Sequence, residues 1–324
     1  MSPKVSVLIA VHNGERYLQA AIESILGQDF ADFECIIVDD GSIDDTPRML
    51  AGYSDSRVRV LYNAENIGLT KSLNRGLNAA KGEYIARQDA DDLSLPNRLR
   101  EQVTYLDTHP EAMLVTGNLE IIDADGKSLG VQKRAAPPDI VKFRMLFYNH
   151  VGGHSQVMFR REAALDVGGY DESRRYSQDY DLWLRLLNRG EIAILPRVWL
   201  QWRQHEGGIS SEKFAEQEQI SLALSQEALK RVTGTDFSLE TVARLRQFWL
   251  EPFPASKYAP TISAEMYRLL RAFVAANPTA NEATLRQDIA AQFMGWTRSI
   301  SVRKNPRGKI RVFWIALRWM LRHA

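Results

Sequence analysis

Gly82-Glu83-Tyr84-Ile85-Ala86-Arg87-Gln88-Asp89-Ala90-Asp91-Asp92 is the stretch on which the reading of this chain turns. Residues 83–87 read as a strand and 96–106 as a helix, so three carboxylates fall where a strand hands over to a helix. In open α/β sheets the carboxyl ends of the parallel strands are where ligands bind. Asp89 and Asp91 are two apart, and in an extended segment their side chains share a face and can reach one divalent cation. Hard oxygen donors of this kind suit Mg²⁺ or Mn²⁺. Taken alone, the cluster reads equally as a solvated acidic turn capping the next helix.

Outward from this stretch, strands are expected at 4–11, 34–38 and 57–62, alternating with helices at 15–26, 44–51 and 69–79. That alternation is the pattern of a parallel sheet with crossover helices. A second strand ends in Val38-Asp39-Asp40-Gly41-Ser42, where a carboxylate can accept the imide N–H of a pyrimidine base and Gly41 permits a sharp turn. The first strand ends in Ala10-Val11-His12-Asn13, so three neighbouring strand ends deliver polar groups to one edge. Other cation and phosphate motifs fail: a calcium loop requires Gly and Glu where Ser94 and Arg100 stand, and neither Gly-x-x-x-x-Gly-Lys-Ser/Thr nor Gly-x-Gly-x-x-Gly occurs.

Composition sets the outer bounds. The chain has 324 residues, 45% apolar and 25% charged, enough for a full core and contrary to disorder or a fibre. Lys plus Arg number 41 against 40 for Asp plus Glu, so no global charge draws it to nucleic acid. The single cysteine, Cys35, excludes an internal disulfide framework and suggests a cytoplasmic protein. No apolar run approaches the roughly 20 residues needed to span a bilayer.

Taken together, the blocks from Val5 to about Ser210 resemble family 2 glycosyltransferases of the GT-A fold. Beyond those above they include Glu65-Asn66-Ile67-Gly68-Leu69, His154-Ser155-Gln156-Val157-Met158-Phe159, Gly168-Gly169-Tyr170-Asp171-Glu172, Asp179-Tyr180-Asp181-Leu182-Trp183 and Arg203-Gln204-His205. The resemblance implies a mixed α/β sheet flanked by helices, a nucleotide-diphosphate sugar donor of the UDP-linked type, and inversion at the anomeric carbon. It implies a nucleoside pocket of Ala10, His12, Asn13 and Asp40, with Asn66 and Gly68 near the ribose and Asp89 facing ribose or diphosphate. Asp91, with His205, is implied as ligand of Mn²⁺ or Mg²⁺, while Asp92 caps the next helix or serves as ligand instead. Asp179 is implied as the base; relatives carry Glu-Asp at this point, whereas this chain has Gln178-Asp179. The acceptor class is a glycan or lipid-linked sugar of surface polysaccharide synthesis. Two rival readings are a sugar nucleotidyltransferase, whose Gly-rich basic loop is absent at Val11-His12-Asn13-Gly14, and a non-catalytic binding protein on the same scaffold.

Past residue 112 the expected order is a hairpin (113–123 and 128–132 around an Asp-Gly turn), a helix at 138–147, a strand at 155–159, a helix at 180–187 and strands at 192–195 and 198–203. The catalytic domain is expected to occupy 1–210 and a helical region 211–324, with 206–210 folding over bound donor. From Thr297 onward there are eight Lys or Arg and no Asp or Glu, interleaved with Phe313, Trp314 and Trp319. Such a tail reads either as an interfacial helix on an anionic membrane, at the inner face of the cell membrane, or as a helix docked on the body.

Overall fold

The computed structural model describes residues 2–205, 214–250, 256–299 and 305–321. Four parallel strands form one half of the sheet: β1 (Val5–Val11), β2 (Phe33–Asp39), β3 (Val58–Tyr62) and β4 (Tyr84–Gln88), in the order β3-β2-β1-β4. Every residue of β1 is buried, as a strand covered on both faces requires. The crossovers carry α1 (Leu18–Leu26), α2 (Thr46–Ala51) and α3 (Leu69–Ala79). In α1 the buried set Leu18, Ala21, Ile22 and Ile25 follows the i, i+3, i+4, i+7 spacing of a helix with one apolar stripe.

The short β5 (Leu93–Ser94) and α4 (Arg98–Thr108) follow, then the hairpin β6 (Ala112–Ile122) and β7 (Ser128–Gln132), joined antiparallel as the Asp-Gly turn predicts. After α5 (Pro138–Arg144) come β8 (Met158–Arg160), α6 (Arg161–Asp166), α7 (Gln178–Leu186) and β9 (Glu191–Arg203). The sheet continues β4-β8-β6-β9-β5, with β8 antiparallel to β4 and β6, and β9 parallel to β6.

Three expectations need correction. The strand at 155–159 is a 3₁₀ turn (His154–Gln156) followed by the three-residue β8, because Ser155 and Gln156 turn inward to polar partners. The two strands at 192–203 are one strand, which passes Pro196-Arg197 by skipping register opposite Gly117 and Asn118; the bulge accommodates a proline that has no N–H to donate. Asp92 does not cap α4, since β5 intervenes and the helix begins only at Arg98.

Two compact units emerge: Met1–Pro138 with Val151–Gln217, and Asp139–His150 with Glu218–Ala324. The division therefore differs from a single cut at 210, because 139–150 groups with the C-terminal helices. In that second unit lie most of α8 (Phe214–Thr233), then α9 (Leu239–Leu250), α10 (Ala259–Ala276), α11 (Glu282–Ser299) and α12 (Pro306–Leu321). Phe143 explains the grouping: its ring meets Phe147, Trp249 and Phe273 at centroid distances of 5.3, 6.3 and 5.2 Å, and neighbouring Arg144 pairs with Asp288. The expected covering segment 206–210 lies outside the described residues.

Candidate active site

At the carboxyl edge of the sheet, Ala10 and Val11 pair with Val38 and Asp39, which sets the ends of β1 and β2 side by side. His12 Nδ1 donates to the Asp40 carbonyl at 2.8 Å, and Asn13, at φ 55°, receives the Ile43 amide on its side-chain oxygen. Both residues are exposed, and Asn13 Nδ2 lies 3.3 Å from His12 Nε2. Asp40 is buried and accepts three hydrogen bonds, from Asn63 Nδ2 at 2.7 Å and from the amides of Ile67 and Gly68 at 2.9 Å each. A carboxylate offers about four acceptor positions, so roughly one remains. Asn66 is exposed and accepts a further bond from the Gly68 amide. Gly41 sits at φ +66°, and a Cβ there would stand 2.5 Å from the Glu65 carbonyl carbon. Backbone meets backbone at that point, so only glycine fits.

The acidic cluster is held from beneath by two buried arginines. Arg87 pairs with Asp89 at 2.5 Å and donates to the carbonyls of Leu8 and Gln88. Arg98 donates to Gln88 Oε1, Ser94 Oγ and the Arg87 carbonyl, and burial lowers its pKa to about 9. Asp89 is partly exposed, with its amide on Ser155 Oγ. Loss of water raises the Asp89 pKa; the Asp91 charge adds to this and Arg87 opposes it. Asp92 is fully buried: Oδ1 accepts the Arg203 amide at 2.8 Å, and Oδ2 has no hydrogen-bond partner. Its pKa rises well above the carboxylate range, first through burial and then through Asp89 and Asp91.

Asp89, Asp91 and Asp92 each offer an oxygen, and the three lie within 4.8 Å of one another. Across from them Asp91 Oδ2 stands 2.9 Å from His205 Nε2. Arg203 fixes this meeting of β4 and β9. Its Nε donates to the Asp91 carbonyl, its NH1 donates to the Asp123 and Ala124 carbonyls, and its guanidinium lies 4.7 Å from the Tyr17 ring.

Asp179 is partly exposed in the first turn of α7, just after Ser177 at φ 54°. It reaches the same neighbourhood through Tyr170, whose buried hydroxyl feels Arg87, Asp179 and Asp89 and lies 2.8 Å from His154 Nε2. Burial holds the His154 pKa well below its usual value, and Arg87 pushes it the same way. The nearby acids are committed elsewhere: Asp181 to Arg185 and Arg174, Asp171 to the Ser173 amide and hydroxyl. Gln178 is buried. Trp199 is core, with Nε1 on Glu101 at 2.8 Å.

The profile of the family described as glycosyl transferase family 2 matches residues 6–168. This chain belongs to glycosyltransferase family 2. Among its relatives are the O-antigen biosynthesis glycosyltransferase WbnJ of Escherichia coli, 33% identical over 72% of this chain and 92% of WbnJ, and the amylovoran biosynthesis glycosyltransferase AmsE of Erwinia amylovora, 30% identical over 74% of this chain and 93% of AmsE. A structural neighbour is S. aureus TarS 1-349 in complex with UDP-GlcNAc, with TM-score 0.57 and 15% identity over 98% of this chain and 90% of that one. The chain spans 55% of the longer TarS structure. The fold of this family 2 member is accordingly GT-A, a mixed sheet flanked by helices with a helical C-terminal region.

Sequence reading of the family motifs missed Tyr17, Arg87, Arg98, Ser155 and Tyr170 as parts of the site. Arg203, a charge closing the β-rich run 198–203, does carry a signal, but the carbonyls it donates to lie 79 to 112 residues away.

Proposed function

We propose that this glycosyltransferase transfers a sugar from a UDP-linked donor to a hydroxyl of a glycan or lipid-linked acceptor in cytoplasmic surface-polysaccharide synthesis, inverting the anomeric centre. The observation that carries the reading is the meeting of Asp89, Asp91, Asp92 and His205 at the carboxyl edge of the sheet, beside the nucleoside-side residues Ala10, His12, Asn13 and Asp40. The relatives named for O-antigen and amylovoran synthesis support the acceptor class, and the UDP-GlcNAc complex of TarS supports the donor class.

The donor set fits a divalent cation: three carboxylate oxygens lie within 4.8 Å of one another, His205 stands against Asp91, and the buried Asp92 Oδ2 is left without a hydrogen bond of normal geometry. Asp91 and His205 would hold Mn²⁺ or Mg²⁺, with Asp89 turned to the ribose or diphosphate. When bound, the cation supplies positive charge against the diphosphate leaving group. Asp40, with Asn66 and Gly68, orients the base and ribose. Asp179 accepts the proton of the acceptor hydroxyl as that oxygen bonds to the anomeric carbon and the bond from that carbon to the diphosphate oxygen breaks. Positioning and electrostatics carry most of the rate gain.

The test is release of nucleoside diphosphate from a panel of nucleotide sugars with Mn²⁺, with and without acceptor. Cation-dependent release from UDP-sugars is expected. Release of pyrophosphate from a sugar 1-phosphate and a nucleoside triphosphate would instead identify a nucleotidyltransferase, and binding without turnover would identify a binding protein.

A further inference from the structure

Helix α12 has two apolar faces. Gly308, Val312, Ala316 and Trp319 are buried within the helical unit, and Trp319 Nε1 donates to Ser263 Oγ at 3.0 Å. On the opposite side Ile310, Phe313, Trp314, Leu317 and Leu321 follow the i, i+3, i+4, i+7, i+11 spacing of a second stripe. Trp314 is 61% exposed, Ile310 58% and Leu321 70%. A docked helix needs only one apolar face, so the second is unexplained by folding. Arg307, Arg311 and Arg318 border that stripe on one side, and α12 contains no carboxylate.

Arg318 also borders a cavity of about 480 Å³ between α10, α11 and α12, lined by Arg268, Arg286, Tyr267, Ser263 and Trp319. Arg286 is 91% buried; its Nε and NH2 both donate to Glu282, while NH1 has no hydrogen-bond partner and the guanidinium lies 5.6 Å from the Tyr267 ring and 5.8 Å from the Trp319 ring. Arg268 pairs with Glu265 at 3.5 Å and Arg286 with Glu282, which leaves Arg318 and the partnerless Arg286 NH1 suited to an anionic oxygen.

We propose that this face of the helical unit docks on an anionic lipid surface, the stripe of α12 lying in the interface and a lipid phosphate meeting the arginines of the cavity. Charge decides the occupant. A second copy would set Arg307, Arg311 and Arg318 against their own equivalents, whereas anionic lipids answer every one of them. The surface lends purpose to the transferase reading by bringing the enzyme to lipid-linked acceptors, but it stands on residues that reading does not use.

The experiment is co-sedimentation of the full chain with phosphatidylcholine vesicles, with and without phosphatidylglycerol, no donor or acceptor being present. Binding to the anionic vesicles, weakened by salt, is expected. Phe313→Ser with Trp314→Ser, both exposed, should reduce it about tenfold or more. Arg268→Gln with Arg318→Gln should reduce it roughly 10–30-fold on anionic vesicles alone. Donor hydrolysis in solution should be unchanged in both variants, which separates failure here from failure of the transferase reading. Wild-type binding by either double variant, equal binding to neutral vesicles, or self-association abolished by Phe313→Ser with Trp314→Ser in a protein that ignores vesicles would overturn the proposal.

Discussion

Asp92 has one oxygen on the Arg203 amide and the other buried without a partner, beside two further carboxylates. Its folded-state pKa is raised, so the folded protein holds that proton more tightly than the unfolded chain does. The ionised form therefore costs stability above the raised pKa, and the cost disappears as pH falls toward about 4, the ordinary carboxylate value. Asp92→Asn removes the charge and keeps an oxygen for Arg203. In chelator it should be more stable than wild type at neutral pH, and the two should converge in acid. Added Mn²⁺ should stabilise wild type more than the variant; urea unfolding with and without the cation reads both. Asp179→Asn tests chemistry instead: donor affinity by calorimetry should stay within a few-fold, while turnover falls roughly 10²–10⁴-fold. Normal turnover in that variant would remove Asp179 as the base. Acids at strand ends are legible because a carboxylate followed by glycine has few structural uses there. Tyr170 was not, since its letter looks like core and its place near Asp179 and Asp89 comes from the fold.

At the level of elements, the turn after β2 depends on a backbone approach that no side chain tolerates. Gly41→Ala combines a left-handed φ with a clash against the Glu65 backbone, and should cost about 2–4 kcal/mol in urea unfolding and weaken donor binding through the displaced 63–68 loop. An unchanged midpoint would show that the loop yields. The two faces of α12 separate in the same way: Trp319→Ala should cost about 3–5 kcal/mol, and Trp314→Ala no more than about 0.5. Periodicity made β1 to β4 and their helices readable to within a few residues. It failed at β5, which is two residues long and exists only because β9 pairs with it, and at β9, where Pro196 looks like an end but is a bulge.

For the whole molecule, α12 is both docked and exposed, which the sequence presented as a choice between two readings. Deleting 308–324 would uncover the core that Val312, Ala316 and Trp319 cover, so a truncated chain should lose stability in the helical unit by thermal unfolding rather than merely leave vesicles. The division into units was legible only along the chain, because nothing in 139–150 announces that its partners come a hundred residues later. That separation has a consequence in time. Arg144 pairs with Asp288, 144 residues on, and at roughly 5–20 residues per second a ribosome takes roughly 7–30 s to supply the partner. Phe143 likewise precedes Trp249 by 106 residues and Phe273 by 130, so for seconds its ring stands on the growing chain before the partners that pack against it have been made.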